Sequence, residues 1–300
     1  LRRSQRKRRL PVSKIKIITD AASDISSEDE KQYDIRVIPF QVTLGDTSYV
    51  PRRDLNNAQF YQLMEQSGEI PKTAQINPFE FQELYLQEVQ AGYTDLILIL
   101  INSQGSATYG NSLLAAHQFW EEHPEYRDRV HIHCFDGMGY SALYGAPVVE
   151  AARMVKSGKS AEAVVAYLTD CLPRRQIYFG IYSLKYAGKS GRIPSAAAFL
   201  GDKLGLKPVM KIFDRAITTA AKCRGDAKLV QKVAEMTAED IAPGTPYEVI
   251  YGCEESCREE MTQLLTEKLG YPPSGNYQIG AVIAANAGPK VVGAAFTKKA

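Results

Sequence analysis

The chain has 300 residues, 45% of them hydrophobic and 23% charged, the balance of an ordinary globular protein with room for two α/β domains. Its formal net charge is +2, but residues 1–10, LRRSQRKRRL, hold six Lys or Arg and no acid, leaving 30 basic against 34 acidic residues elsewhere. A mildly acidic body argues against a nucleic-acid binder, and no apolar run approaches the roughly 18 residues of a membrane span.

Residues 1–13 are expected to form a disordered basic tail, since they lack both an aromatic residue for base stacking and an amphipathic stripe. No apolar segment of the kind found in a secretory signal follows the charges. Beyond the tail the chain alternates strand and helix patterns. KIKIITD at 14–20 and IRVIPFQVTL at 35–44 read as strands. At Asn77, Pro78 and Glu80 the residue types fit an N-cap, first helical turn and capping box, opening a helix that runs to Gly92. The aliphatic run at 96–101 is a buried strand, followed by a helix over 107–122, a strand over 129–135 and a helix over 139–156. Strands separated by helices imply parallel crossovers, hence a Rossmann-like parallel sheet flanked by helices over 14–165.

After about residue 165 the pattern changes. Strands are expected at 176–182, 207–213, 216–223, 247–252 and 276–284. Only Asp214 and Arg215 separate two of them, which is a hairpin and therefore antiparallel pairing. Residues 166–300 are thus expected to form a mixed α/β (α+β) domain.

In a parallel sheet, ligands bind beyond the carboxyl ends of the strands. Three loops should meet there: TDAASD at 19–24, which contains Ser23, NSQGSATYG at 102–110, and DGMGYSALYG at 136–145. The middle loop carries Ser103, Ser106 and Thr108, has no charged residue and enters a helix N-terminus, so it either caps that helix or cradles an oxyanion. A nucleotide phosphate would call for GxGxxG or GxxxxGK[ST], and a serine hydrolase for GxSxG; none is present. The four histidines, at 117, 123, 131 and 133, fall within or beside predicted elements rather than in these loops. Asp20 and Asp24 could hold a metal, though as cap and turn residues they need none; no metal and no cofactor is expected. The five cysteines are odd in number and scattered, which suits free thiols in a reducing cytoplasm. A carboxylate on an acyl chain fits the hydroxyl loop beside apolar strands. The chain would supply affinity at roughly 0.8 kcal/mol per buried methylene, and the hydroxyls would satisfy the head.

The stretches ITDAASDIS, VIPFQVTLGDTSYV, PKTAQINPFEF, INSQGSATYGNS, FDGMGYSALYG, SLKYAGKSGRIPSAAAFLGDKLGLKPVM and GAVIAANAGPKVVGAAF come in the order and spacing of the DegV family, which the chain resembles from about residue 14 to its end. The resemblance implies a two-domain α/β lipid binder holding one long-chain fatty acid, such as palmitate, between its domains. In bacteria with a fatty acid kinase, such a protein presents the carboxyl group for acyl-phosphate formation in phospholipid synthesis. It implies carboxylate contacts from Thr73 of KTAQ and from a serine of SQGSATY, Ser106 matching best and Ser103 second. Where the family commonly has HTGPG with a histidine near the carboxylate, this chain has NAGPK, which puts Asn286 there; Asn can donate a hydrogen bond but cannot shuttle a proton. Arg192 of SGRIP is either a pocket-edge cation or a helix-entry ion pair. The expected protein is a non-enzymatic, monomeric, cytoplasmic carrier without membrane insertion. The alternative is a hydrolase or phosphotransferase acting on a small anionic substrate in the interdomain cleft.

Overall fold

The aliphatic run at 95–100 lies at the heart of a four-stranded parallel sheet. In the computed structural model, which describes residues 13–193 and 205–300, all six residues of β6 (Asp95–Leu100) are buried, as befits a strand covered on both faces. It pairs in parallel with β1 (Ile15–Asp20) and β7 (His131–Asp136), and β1 pairs with β2 (Arg36–Ile38). The order is β2-β1-β6-β7. The expected basic tail lies outside the described residues except for Ser13, and so does the 194–204 part of the long glycine-rich stretch.

The 35–44 stretch, expected as one strand, is two. Between Ile38 and Gln41 the chain leaves the parallel sheet at Pro39, which has no amide hydrogen to offer a ladder. It then forms β3 (Gln41–Leu44), the centre of a small antiparallel sheet with β4 (Thr47–Tyr49) and β5 (Lys72–Ala74). The strand β5, which carries Thr73, is too short and polar to show in the sequence pattern.

The second half forms a six-stranded mixed sheet in the order β10-β9-β8-β13-β11-β12. Its strands are β8 (Arg175–Ile181), β9 (Leu206–Phe213), β10 (Ala216–Arg224), β11 (Tyr247–Tyr251), β12 (Gly275–Gln278) and β13 (Val291–Thr297). The expected hairpin is present, with Ala216 opposite Phe213 and only Asp214 and Arg215 in the turn. The strand expected at 276–284 stops at Gln278. Gly280 then opens a helix, Ala281–Ala287, whose small residues pack closely against its neighbours.

The helix Ala142–Lys156 joins the halves, since it packs against β1 and β6 on one side and β8, β11 and β13 on the other. Its face of Ala, Leu, Val and Gly is accordingly buried almost throughout. Gly145 is required there: a Cβ at that position would sit 2.2 Å from the Ser23 carbonyl oxygen. Behind it a buried ion pair, Arg175 with Glu248, is completed by the Ala142 and Leu143 carbonyls, which accept from the same guanidinium. One continuous core therefore takes residues from both halves, and a smaller one lies on the outer face of the mixed sheet under the helices Ala227–Asp240 and Glu255–Leu269.

Candidate functional site

Between the parallel sheet and the mixed sheet lies a cavity of about 410 Å³, within the range of small-ligand sites. Its walls come from both halves. Eight of its lining residues are isoleucine, whose β-branched side chains have few rotamers, so the wall is stiff and preformed. Among the described residues lining it there is no His, Cys, Asp, Glu or Lys.

The polar part of the lining grows from the turn after β6. Asn102 organises that turn: its carbonyl accepts from the Gly105 and Ser106 amides, and its Oδ1 accepts from the Gln104 amide at 3.0 Å. The turn delivers Ser106 to the start of the helix Thr108–Glu122. There the Thr108 hydroxyl accepts from the Ile76 amide at 3.2 Å and stands 2.9 Å from Ser106 Oγ, which itself accepts from the Thr108 amide. Either hydroxyl can donate in this pair; when Thr108 does, the Ser106 proton stays free. Asn111 Nδ2 donates to the Ile76 carbonyl at 2.8 Å and so ties β5 and its Thr73 to the same helix end. Thr73 lines the cavity, and its hydroxyl has no hydrogen-bond partner among the described residues.

Of the five serine, threonine and asparagine positions picked from the sequence, Thr73, Ser106 and Asn286 line the cavity, whereas Ser103 and Ser23 do not. Ser103 instead donates to Asp136 Oδ2 at 2.5 Å, and Ser23, fully buried, donates to the Asp20 carbonyl at 2.8 Å. Asn286 Nδ2 donates to the Val282 carbonyl one helical turn earlier, so part of its donor capacity is already used. Arg192 is a pocket-edge cation: it lines the cavity, remains exposed, and has no ion pair among the described residues.

Three further polar residues of the lining, Gln75, Tyr140 and Ser141, were not singled out in the sequence. The Tyr140 hydroxyl packs on Gly105 so closely that a Cβ there would be 2.0 Å away, which explains the glycine in the turn. Ser141 is held at φ 52°, ψ −137°, and its buried hydroxyl has no hydrogen-bond partner. Both Tyr140 and Ser141 lie in the 136–145 loop that the sequence placed beyond the strand ends, though neither was singled out within it.

Behind Ser141 stands Asp24, with φ 53°. Its Oδ1 accepts from the Gly280 amide at 2.8 Å, while its Oδ2 is inaccessible and unpaired. Burial pushes the Asp24 carboxyl up to about 7, a rise partly offset by the nearby Ser141 hydroxyl, the Gly280 amide and Arg52. Neighbouring Asp20 is pushed up to about 6 by burial, offset by the Tyr144 hydroxyl and the Ile101 and Ala22 amides. Together with the Tyr61 hydroxyl, which donates to the Ile279 carbonyl, Asp24 docks the helix Ala281–Ala287 onto the first half and so places Val282, Ile283 and Asn286 in the wall. By their hydrogen bonds Asp20 is a cap, accepting from the Ala22 amide, and Asp24 a clasp, accepting from the Gly280 amide; no group of three or more His, Cys, Asp or Glu among the described residues could hold a metal. All five cysteines are free, and no described helix is long and apolar enough to cross a membrane.

Known proteins share this architecture over nearly the whole chain. The sequence profile described as "Uncharacterised protein, DegV family" matches residues 14–299. A DegV domain-containing protein of Clostridium perfringens is 30% identical over 294 residues, covering 96% of this chain and 100% of the relative. The structure of Bacillus subtilis DegV, described as a fatty acid binding protein, superposes with a TM-score of 0.81 at 26% identity, covering 96% of this chain and 100% of that one. A Thermus thermophilus DegV family protein, described by its fatty acid binding, superposes with a TM-score of 0.79 at 27% identity, covering 95% and 99%. On fold and sequence together, the chain belongs to the DegV family.

Proposed function

We propose that the protein binds one long-chain fatty acid, with the acyl chain in the isoleucine-lined cavity and the carboxylate received by Thr73 and Ser106. The carrying observation is an apolar cavity whose polar lining among the described residues is made of hydroxyls, the amides of Gln75 and Asn286, and one cation, Arg192, with no carboxylate. Such a lining suits an anionic head on an apolar tail: the hydrocarbon drives binding, and the hydroxyls replace the water lost by the head. The fatty-acid-binding descriptions of the Bacillus subtilis and Thermus thermophilus relatives support this reading. In it the 14–165 and 166–300 halves act as two domains closing on the ligand.

The role is that of a carrier, which hands the carboxyl group to a fatty acid kinase rather than transforming it. A catalyst would need a base or nucleophile pair within reach of the substrate, and the described lining contains no residue suited to serve as general base. Native mass spectrometry of the purified protein tests the reading. The expected result is about one acyl chain per protein, released and identified after solvent extraction. Folded protein that neither retains nor takes up a fatty acid would overturn it, and turnover of an ester or phosphate ester would move the protein into the enzyme class.

A further inference from the structure

The tip of the β9–β10 hairpin carries a residue that its own turn disfavours. Asp214 and Arg215 have φ of 44° and 69°, the backbone of a type I′ turn, in which glycine is the favoured second residue. An arginine persisting there calls for a compensating contact, and the structure supplies one across the cleft. Arg215 Nε donates to Asp136 Oδ2 at 2.7 Å, and the Arg215 carbonyl accepts from Asn102 Nδ2 at 2.8 Å. Asp136 and Asn102 are the two residues that shape the turn bearing Ser106. Asp136 accepts from the Ser103 amide at 3.1 Å, the Ser103 hydroxyl at 2.5 Å and the Met138 amide at 2.9 Å, while Asn102 holds the amides of Gln104, Gly105 and Ser106. Two residues from the hairpin tip's base, the directly opposed pair Ile212 and Ile217 lies in the cavity wall.

We infer that Arg215 is a positioning residue: it fixes, through Asp136 and Asn102, the turn that presents Ser106, and in the same contact holds the hairpin closed over the bound acyl chain. The ligand part of this inference rests on the fatty-acid reading; the contact itself does not. Asp136 is 7% exposed at its side chain and Arg215 is 35% exposed, so the pair is open to salt on one side only.

The test is Arg215→Gly, which removes the guanidinium and at the same time suits the left-handed turn, so the hairpin and the melting temperature are retained. Dissociation of cis-parinaric acid, followed by its fluorescence during displacement, should accelerate about fivefold or more, consistent with loss of a cross-cleft charged contact acting on the off-rate. Arg215→Lys should restore part of the difference. Asp136→Asn should accelerate dissociation less in the Arg215→Gly background than in the wild type, as expected for two members of one contact. Independently of any ligand, amide hydrogen exchange of residues 103–106 in the fatty-acid-free protein should speed up in Arg215→Gly. Unchanged exchange there overturns the positioning role, and dissociation within about twofold of wild type overturns the closing role. Failure of the wild type to bind cis-parinaric acid would instead count against the fatty-acid reading, with the exchange measurement still deciding whether Arg215 holds the turn.

Discussion

At the scale of single residues, the proposed head-group contacts make a sharp prediction. Replacing Thr73→Val and Ser106→Ala removes two donors while keeping side-chain volume nearly constant. Hydrogen bonds to a charged group contribute roughly 1.5–3 kcal/mol each, so fatty acid affinity should fall by about two to four orders of magnitude if they add. An uncharged fatty alcohol, held by the same hydrocarbon wall, should lose far less; isothermal titration of both ligands checks the contrast. Asp24 yields a pH prediction. Burial raises its folded-state pKa from 3.8 to about 7, so between those values the folded chain holds the proton more tightly than the unfolded one. The penalty is therefore absent below about pH 4, grows as pH rises, and is complete above about pH 7. Asn tolerates the left-handed backbone at this position and can still accept from the Gly280 amide. Asp24→Asn should thus be more stable than wild type above neutral pH, by about 1–3 kcal/mol, and lose that advantage near pH 4. Urea denaturation at the two pH values decides it.

At the scale of elements, the helix Ala142–Lys156 has the least freedom, because it touches both sheets. Gly145→Ala would drive a methyl into the Ser23 carbonyl, which belongs to rigid backbone that cannot swing aside. The expected cost is about 2 kcal/mol, read as a lower urea midpoint with an unchanged slope. The helix Ala281–Ala287 shows why a strand pattern failed over 276–284. Tyr277 and Ile279 alternate as in a strand, and Tyr277 does pair within β12. Gly280 ends that alternation, and Asp24, 256 residues earlier in the chain, receives its amide. The hairpin is the opposite case: two strand-forming runs around a two-residue turn determine their own pairing.

For the whole molecule, the cavity draws its walls from β5 and Phe40 beside the small sheet, from the parallel-sheet loops and from the mixed sheet, so a ligand there bridges all three sheets. Binding should therefore stabilise the fold globally. A free fatty acid at about 100 times its dissociation constant adds about 2.7 kcal/mol, corresponding to a rise in melting temperature of about 5 °C for a protein of this size. Differential scanning calorimetry of delipidated and reloaded protein measures this, and an unshifted transition would argue against a ligand held between the halves.

Several features were written in the sequence alone because they depend on neighbours in the chain. The buried β6 run, the Asn77 cap, the Asp214 and Arg215 turn and the hydroxyl-rich loop after β6 all follow from local periodicity and turn chemistry. The order of the motifs placed the chain in its family, and with it Thr73 and Ser106. Only the tertiary structure decided which hydroxyls face the cavity. Ser103 and Ser106 are three residues apart in one turn, yet Asp136 captures the first and leaves the second facing the cavity. Ser141, Tyr140 and Arg192 entered the lining for the same reason, and so did the contact of Arg215 with the turn. A side chain's direction in a turn is set by long-range partners, and those exist only once the sheets have packed.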